Sequence, residues 1–340
     1  MELLKHWHPT IASKLLKKKP VQVQLCNEEI VLFRTSQGTV GALKNRCPHR
    51  GMRLSQGWVE NEDIVCPYHA WRYTPAGKGF SPSTPKLKPC APSFEVIERY
   101  GVIWIKSAES SASFPEFKIQ DHLFAGVVSQ EIQAPLEVVV DNFSDIEHNP
   151  TTHTYFGYAY DNISNVVSRI ETTDDAVRVI NKGSQQPLPR MVEKIFFNVH
   201  SGDWFLNDWT THFSPVYSIF DQSWIDPATD EKRRIQVKLV VFYIPVGPEK
   251  TRLMIFVFAN PPKINTLSKV AFYLLAGPVV RFFVDYELKK DKEILENLAD
   301  KQMPLSEMQL GRYDRVLGEN RKRIDRLYRG QPQNPERMVK

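Results

Sequence analysis

Two short segments constrain this chain more than anything else in it: Cys47-Pro48-His49-Arg50-Gly51 and Cys66-Pro67-Tyr68-His69-Ala70-Trp71. Each offers one thiolate and one imidazole, and 16 residues separate His49 from Cys66. Two loops of this kind can clamp one metal centre between them. A zinc ion would accept two Cys and two His in a tetrahedron. Other borderline metals would do the same. A [2Fe–2S] cluster with the cysteines on one iron and the histidines on the other also fits. The order Cys-His then Cys-His argues against finger-type zinc sites, which group two cysteines and then two histidines. A proline follows each cysteine and restricts the chain where it wraps the centre. Gly51, Tyr68 and Trp71 can wall that centre from water.

The surrounding sequence reads as short strands. Val21–Leu25, Ile30–Phe33, Val40–Leu43 and Val102–Ile105 are β-type runs broken by Asn, Gly and Ser clusters. They predict a small β domain with a Pro-rich irregular loop over 82–92. The segment 107–115 (SAESSASFP) is the natural linker, placing the domains at 1–112 and 113–340. Beyond it, the spacing predicts a helical segment within 136–160, ended by Pro150. Strands return over 165–260, with Ile235–Leu239 alternating and Leu253–Phe258 continuously apolar, and 265–330 reads as helical. Strands followed by helices, without βα alternation, argue for α+β.

Composition excludes several classes. With 42% hydrophobic and 24% charged residues in 340, disorder is out. Val270–Val284 is too short for a bilayer span, contains Gly277-Pro278 and carries Arg281. No apolar stretch precedes a cleavage site, so a cytoplasmic, reducing location is expected. Four cysteines make no disulfide framework there, and Cys26 and Cys90 read as ordinary small residues. The net charge of +5 is concentrated in Arg312–Arg329. That segment reads as a solvated helix face unless the rest of the chain calls for an acidic partner.

A second constellation lies in the later region. Asn142, Asp145 and His148 fall three apart and would share one helix face. Past Pro150 the chain can bring His153 back toward His148. The late helix has an apolar stripe at Val284, Leu288, Leu295 and Leu298, with Asp291 where a leucine would be expected. A carboxylate on a buried face is costly unless paired or metal-bound. His148, His153 and Asp291 would form a two-His, one-carboxylate triad with coordination positions left open.

Together these residues resemble the Rieske non-haem iron oxygenases. The family's C-x-H-x15–17-C-x2-H motif is matched at Cys47, His49, Cys66 and His69. Its N-x2-D-x2-H-x4-H motif is matched at Asn142, Asp145, His148 and His153, and its late D-x4-E at Asp291 and Glu296. Ala70 departs from the glycine common there, and its methyl group could alter hydrogen bonding to the cluster. The resemblance implies an all-β Rieske domain followed by a catalytic domain with a curved antiparallel sheet and helices. It implies a [2Fe–2S] cluster, a mononuclear Fe(II) and O2 as co-substrate. It further implies a homotrimer in which Asp145 bridges His148 to a cluster histidine of the neighbouring subunit.

No G-x-G-x-x-G follows a strand, so a separate ferredoxin or reductase would supply electrons from NAD(P)H. Such carriers are often acidic, which makes Arg321 and Lys322 candidates for docking them. The dense aromatics Phe196, Phe197, Trp204, Phe205, Trp209, Phe213, Phe220 and Trp224 suit either an apolar pocket for a small hydrophobic ring substrate or sheet core. His200 and His212 read as structural. Monooxygenation or dealkylation is favoured over cis-dihydroxylation. A non-catalytic Rieske carrier and a zinc-stabilised nucleic-acid module are the competing readings. The long second region with its own triad counts against the former, and the Cys-His order against the latter.

Overall fold

The computed structural model describes residues 2–117, 119–195, 199–260, 269–270 and 272–331. Two compact units result. One comprises Met1–Pro115 together with Ile244–Pro248, and the other Glu116–Tyr243 and the described residues from Glu249 onward. The inclusion of Ile244–Pro248 in the first unit is invisible in the sequence. It follows from backbone bonds in which Cys26 and Asn27 N–H donate to the carbonyls of Pro245 (2.7 Å) and Val246 (3.1 Å).

The first unit holds ten strands: β1 (His8–Ala12), β2 (Val21–Leu25), β3 (Glu28–Arg34), β4 (Val40–Lys44), β5 (Trp58–Glu60), β6 (Asp63–Val65), β7 (Arg72–Tyr73), β8 (Gly79–Phe80), β9 (Phe94–Arg99) and β10 (Val102–Ser107). They form sheets ordered β1-β10-β9, β2-β3-β4 and β5-β6-β7-β8. Strand β3 is buried from Ile30 to Phe33 and so is apolar on both faces. Cys26 and Asn27 both take positive φ in the two-residue turn between β2 and β3, the geometry such a hairpin requires.

The second unit is built on a seven-stranded sheet of β11 (Leu123–Ile132), β12 (Val167–Thr172), β13 (Ala176–Ser184), β14 (Trp204–Phe213), β15 (Val216–Ile225), β16 (Lys232–Gly247) and β17 (Lys250–Ala259). Its order is β11-β17-β16-β15-β14-β13-β12, a meander with β11 added beside β17. Among the described residues the α-helices are α1 (Leu136–Asn142), α2 (Asn149–Thr152), α3 (Arg190–Ile195), α4 (Gly277–Glu296) and α5 (Arg315–Arg323). Helix α4 lies over β11 and β17, tied by the Gln130 amide donating to Asp285 at 3.1 Å.

Three expectations need correction. No single helix runs to Pro150: α1 stops at Asn142, turns follow, and Pro150 sits in the first turn of α2, where its missing N–H has no partner to lose. On the late helix, Leu288 and Leu295 are buried, but Leu298 lies past the helix end and is exposed. The basic segment is not a free solvated face. Arg321 is 6% exposed and pairs with Asp141 at 2.5 Å, and Arg323 pairs with Glu319 and the Thr173 carbonyl. Arg329 pairs with Glu137 and Asp325, and Arg312 donates to the carbonyls of Ser164 and Val166. These arginines clamp the end of the chain onto α1 and its neighbours. Of the aromatic cluster, Phe205, Trp209, Phe213, Phe220 and Trp224 are buried, while Phe196 and Phe197 lie outside the described residues.

Candidate metal centres and the adjoining cavity

The two Cys-His loops leave β4 and β6 and are built alike. Cys47 N–H donates to the Met52 carbonyl (2.8 Å) and Gly51 N–H to the Cys47 carbonyl (2.9 Å). Cys66 N–H donates to the Trp71 carbonyl (2.8 Å) and Ala70 N–H to the Cys66 carbonyl (3.0 Å). The fourth residue after each cysteine takes positive φ: Gly51 at 77° and Ala70 at 53°. Ala70 therefore occupies a left-handed position that a glycine would fill without strain.

Both cysteines are buried, at 2% and 1% exposure, while His49 and His69 are exposed. The imidazoles approach with centroids 4.6 Å apart, and His49 stacks on Trp71 at 4.2 Å. Thiolates inside and imidazoles at the surface suit a two-iron cluster with one iron on each side. Burial pushes the Cys66 thiol up, so a cation is needed to hold it as thiolate. Tyr73 Oη lies 3.3 Å from Cys47 Sγ, and burial raises its pKa so that it stays a phenol able to donate to the sulfur.

In the second unit, His148 ends the turns after α1, His153 caps the C-terminus of α2, and Asp291 projects from α4. Among the described residues their donor atoms form a group lying within 4.8 Å of one another. His148 Nε2 and His153 Nε2 are 3.2 Å apart, and Asp291 Oδ1 is 3.6 and 3.5 Å from them. Each imidazole has its other nitrogen on a carboxylate: His148 Nδ1 to Asp145 Oδ2 at 3.0 Å, His153 Nδ1 to Glu287 Oε2 at 3.2 Å. A carboxylate can only accept, so each Nδ1 carries the proton and each Nε2 presents a lone pair. Two imidazole lone pairs and a carboxylate oxygen thus face one point. Asn149 Nδ2 reaches His148 Nε2 only at 3.4 Å. Such a donor set fits a cation.

The electrostatics ask for the same thing. Burial works against a charged His153, yet Asp291 and Glu287 outweigh it and raise its pKa. Burial would raise Asp145, but the hydrogen bond and charge of His148, together with the backbone N–H groups of Glu147 and His148, outweigh this and hold the carboxyl below its usual range. Asn142 Nδ2 donates to Asp291 Oδ1 at 3.0 Å and fixes that carboxylate.

Glu287 escaped the reading of the sequence. It accepts from His153 and from the backbone N–H groups of Thr154 (3.1 Å) and Tyr155 (2.7 Å). It sits four residues before Asp291, hence on the same face of α4, and a second acid on that stripe was the available signal. Glu296, matched to the family pattern, instead accepts the Gln133 N–H at 3.0 Å and takes no part in the group.

A cavity of about 130 Å³ opens beside the triad, about ten times the room one water needs. Its walls come from the sheet, α1 and α4 and are mostly apolar, with Trp209 and Trp224 among them. His212 stacks on Tyr217 instead, His200 is exposed, and neither lines the cavity.

Known proteins agree with this architecture. A model of the Rieske [2Fe–2S] domain matches residues 6–96. A model of the vanillate O-demethylase oxygenase C-terminal domain matches residues 132–330, more than half of the chain. The chain is similar to the vanillate O-demethylase oxygenase subunit of Pseudomonas sp. (strain HR199 / DSM 7063), 30% identical over 155 residues that make up 43% of this chain and 44% of the relative. It is also similar to methylxanthine N1-demethylase NdmA of Pseudomonas putida, 32% identical over 169 residues, covering 45% and 48%. The chain thus spans under half the length of these curated relatives. Dicamba monooxygenase bound to 3,6-dichlorosalicylic acid shares the fold, with a TM-score of 0.77 over 96% of this chain and 98% of that one, at 18% identity.

Proposed function

Because this chain belongs to the Rieske oxygenases whose C-terminal domain is of the vanillate O-demethylase type, we propose that it oxidises a small, hydrophobic, ring-containing molecule with O2, by hydroxylation or oxidative dealkylation. The observation that carries this reading is the convergence of two imidazole lone pairs and the Asp291 oxygen beside an apolar cavity. Cys47, His49, Cys66 and His69 would hold a [2Fe–2S] cluster; His148, His153 and Asp291 would hold a ferrous ion. When bound, the cluster supplies electrons one at a time and the ferrous ion activates O2.

The chain's own groups do the rest. Asp145 and Glu287 keep the Nδ1 protons in place and fix the ring orientations. Asn142 holds Asp291 in one orientation. The apolar walls hold a ring in place and keep water from the reacting atoms. A separate ferredoxin or reductase, a homotrimer and a cytoplasmic location belong to the same proposal. The Asp145 side chain is 26% exposed, which leaves an edge for the cluster histidine of a neighbouring subunit. Among the described residues, no helix is long and apolar enough to cross a membrane. Dealkylation is favoured over cis-dihydroxylation because both curated relatives described above are demethylases.

The test is iron, zinc and acid-labile sulfide per chain after anaerobic purification, beside His148→Ala. Roughly three irons and two sulfides are expected, falling to about two irons in the variant. Zinc without sulfide would overturn the reading. With a compatible electron donor, incorporation of a single oxygen atom from labelled O2 into product separates monooxygenation from dihydroxylation.

A further inference from the structure

One polar rung on the cavity wall is used by neither the metal ligands nor their partners. Pairing of β14 with β15 sets Phe205 opposite Trp224, Asn207 opposite Gln222 and Trp209 opposite Phe220. All of these side chains line the cavity. The outer two rungs are stacked aromatic pairs, with centroids 5.3 and 5.5 Å apart. The middle rung is a pair of amides. It continues to Val237 on β16, which offers no polar atom, and to Asn181 on β13.

Asn207 is 8% exposed, and its Oδ1 is buried with no hydrogen-bond partner. The Oδ1 of Asn181 behind it is buried and unpartnered as well, so one acceptor cannot satisfy the other. Folds rarely keep an amide in this condition without a use for it. By turning about its last torsion, Asn207 can present either its oxygen or its NH2 to the cavity.

Charge narrows what can bind there. Among the described lining residues no lysine or arginine occurs, and the acids are Asp145, Glu287 and Asp291. Three carboxylates outweigh one divalent ion. An anionic substrate would lose its hydration with no cation in the wall to replace it.

We infer that Asn207 and Gln222 bind the substrate, and that this substrate is an uncharged ring compound carrying a hydrogen-bonding group at its edge, such as a phenol, amide or lactam, rather than an aryl carboxylate or sulfonate. The flanking aromatic rungs stack on the ring while the amides pair with its polar edge. This rests on the cavity being the substrate site of the oxygenase.

The test measures binding without turnover. Iron-loaded, anaerobic enzyme is titrated with 4-methoxybenzamide, 4-methoxybenzoate and anisole, following the fluorescence of the cavity tryptophans. The benzamide is expected to bind at least about tenfold more tightly than the benzoate. Asn207→Leu and Gln222→Leu should each weaken the benzamide about tenfold and leave anisole within about twofold. Asn207→Asp, which keeps the shape, should weaken the benzoate further.

Tighter binding of the benzoate, equal loss of all three probes in the variants, or no binding of any probe at millimolar concentration would overturn the inference. Formaldehyde release with an added electron donor is scored separately. Amide preference without turnover would remove the oxygenase reading alone. Turnover of the benzoate without amide preference would remove this inference alone.

Discussion

Glu287→Gln is expected to loosen the mononuclear metal by about 10- to 100-fold and to leave the cluster intact. The Glu287 carboxylate is 8% exposed and receives the His153 Nδ1–H at 3.2 Å and the backbone N–H groups of Thr154 and Tyr155. Glutamine keeps the shape but removes the charge and turns one acceptor into a donor, which then faces donors. A hydrogen bond to a charged acceptor contributes about 1.5–3 kcal/mol against about 0.5–1.5 kcal/mol for a neutral one. The loss at His153 alone is then about 1–2 kcal/mol, roughly 5- to 30-fold in an equilibrium constant. The disturbed backbone donors add to it.

The assay is anaerobic competition for Fe(II) against chelators of graded affinity, with the visible absorbance of the cluster as internal control. Glu296→Gln is the comparison, because Glu296 accepts the Gln133 N–H and pairs with Lys292 at 3.9 Å, away from the His148–His153–Asp291 group. Wild-type affinity in Glu287→Gln, or an equal loss in Glu296→Gln, would refute the assignment of Glu287 as the group that orients His153.

Ala70→Gly should stabilise the first unit by about 0.5–1 kcal/mol, the relief of about 1–2 kcal/mol of left-handed strain less the extra freedom of glycine in the unfolded chain; an unchanged or lower denaturation midpoint would contradict this. Arg321→Met should cost about 3–5 kcal/mol by stranding the buried Asp141, while Lys322→Glu changes urea stability little. Equal, small effects from both would return Arg321 to the surface. Burial pushes His8 down to about 3 from 6.5. The unfolded chain therefore binds a proton that the folded chain refuses. The His8 contribution to stability is full above pH 6.5 and falls by about 1.4 kcal/mol per pH unit toward pH 3. His8→Gln should flatten that slope in urea titrations, and an unaltered slope would exclude His8 as its source.

The candidate ligands and the order of the parts are legible along the chain alone. Cys47, His49, Cys66 and His69 lie close along the chain on two loops, so their spacing is a local property that survives without coordinates. Asn142, Asp145, His148 and His153 are likewise local, and Asp291 was legible as a charge on an apolar helical stripe. The strand runs of the first unit alternate or are wholly apolar as their burial demands.

Tertiary structure decided everything that depends on which distant segments meet. Glu287 became visible as a partner only when α4 brought it against His153, 134 residues away. Arg321 reads as a surface charge until α5 packs it on Asp141, 180 residues earlier. Pro150 starts a helix instead of ending one because α1 had already stopped at Asn142. The amide rung of Asn207 and Gln222 exists only in the register of β14 with β15. Local patterns fix which residues are chemically able. Long-range packing fixes which of them are left unsatisfied, and one of those, Asn207 Oδ1, belongs to a residue that lines the cavity beside the triad.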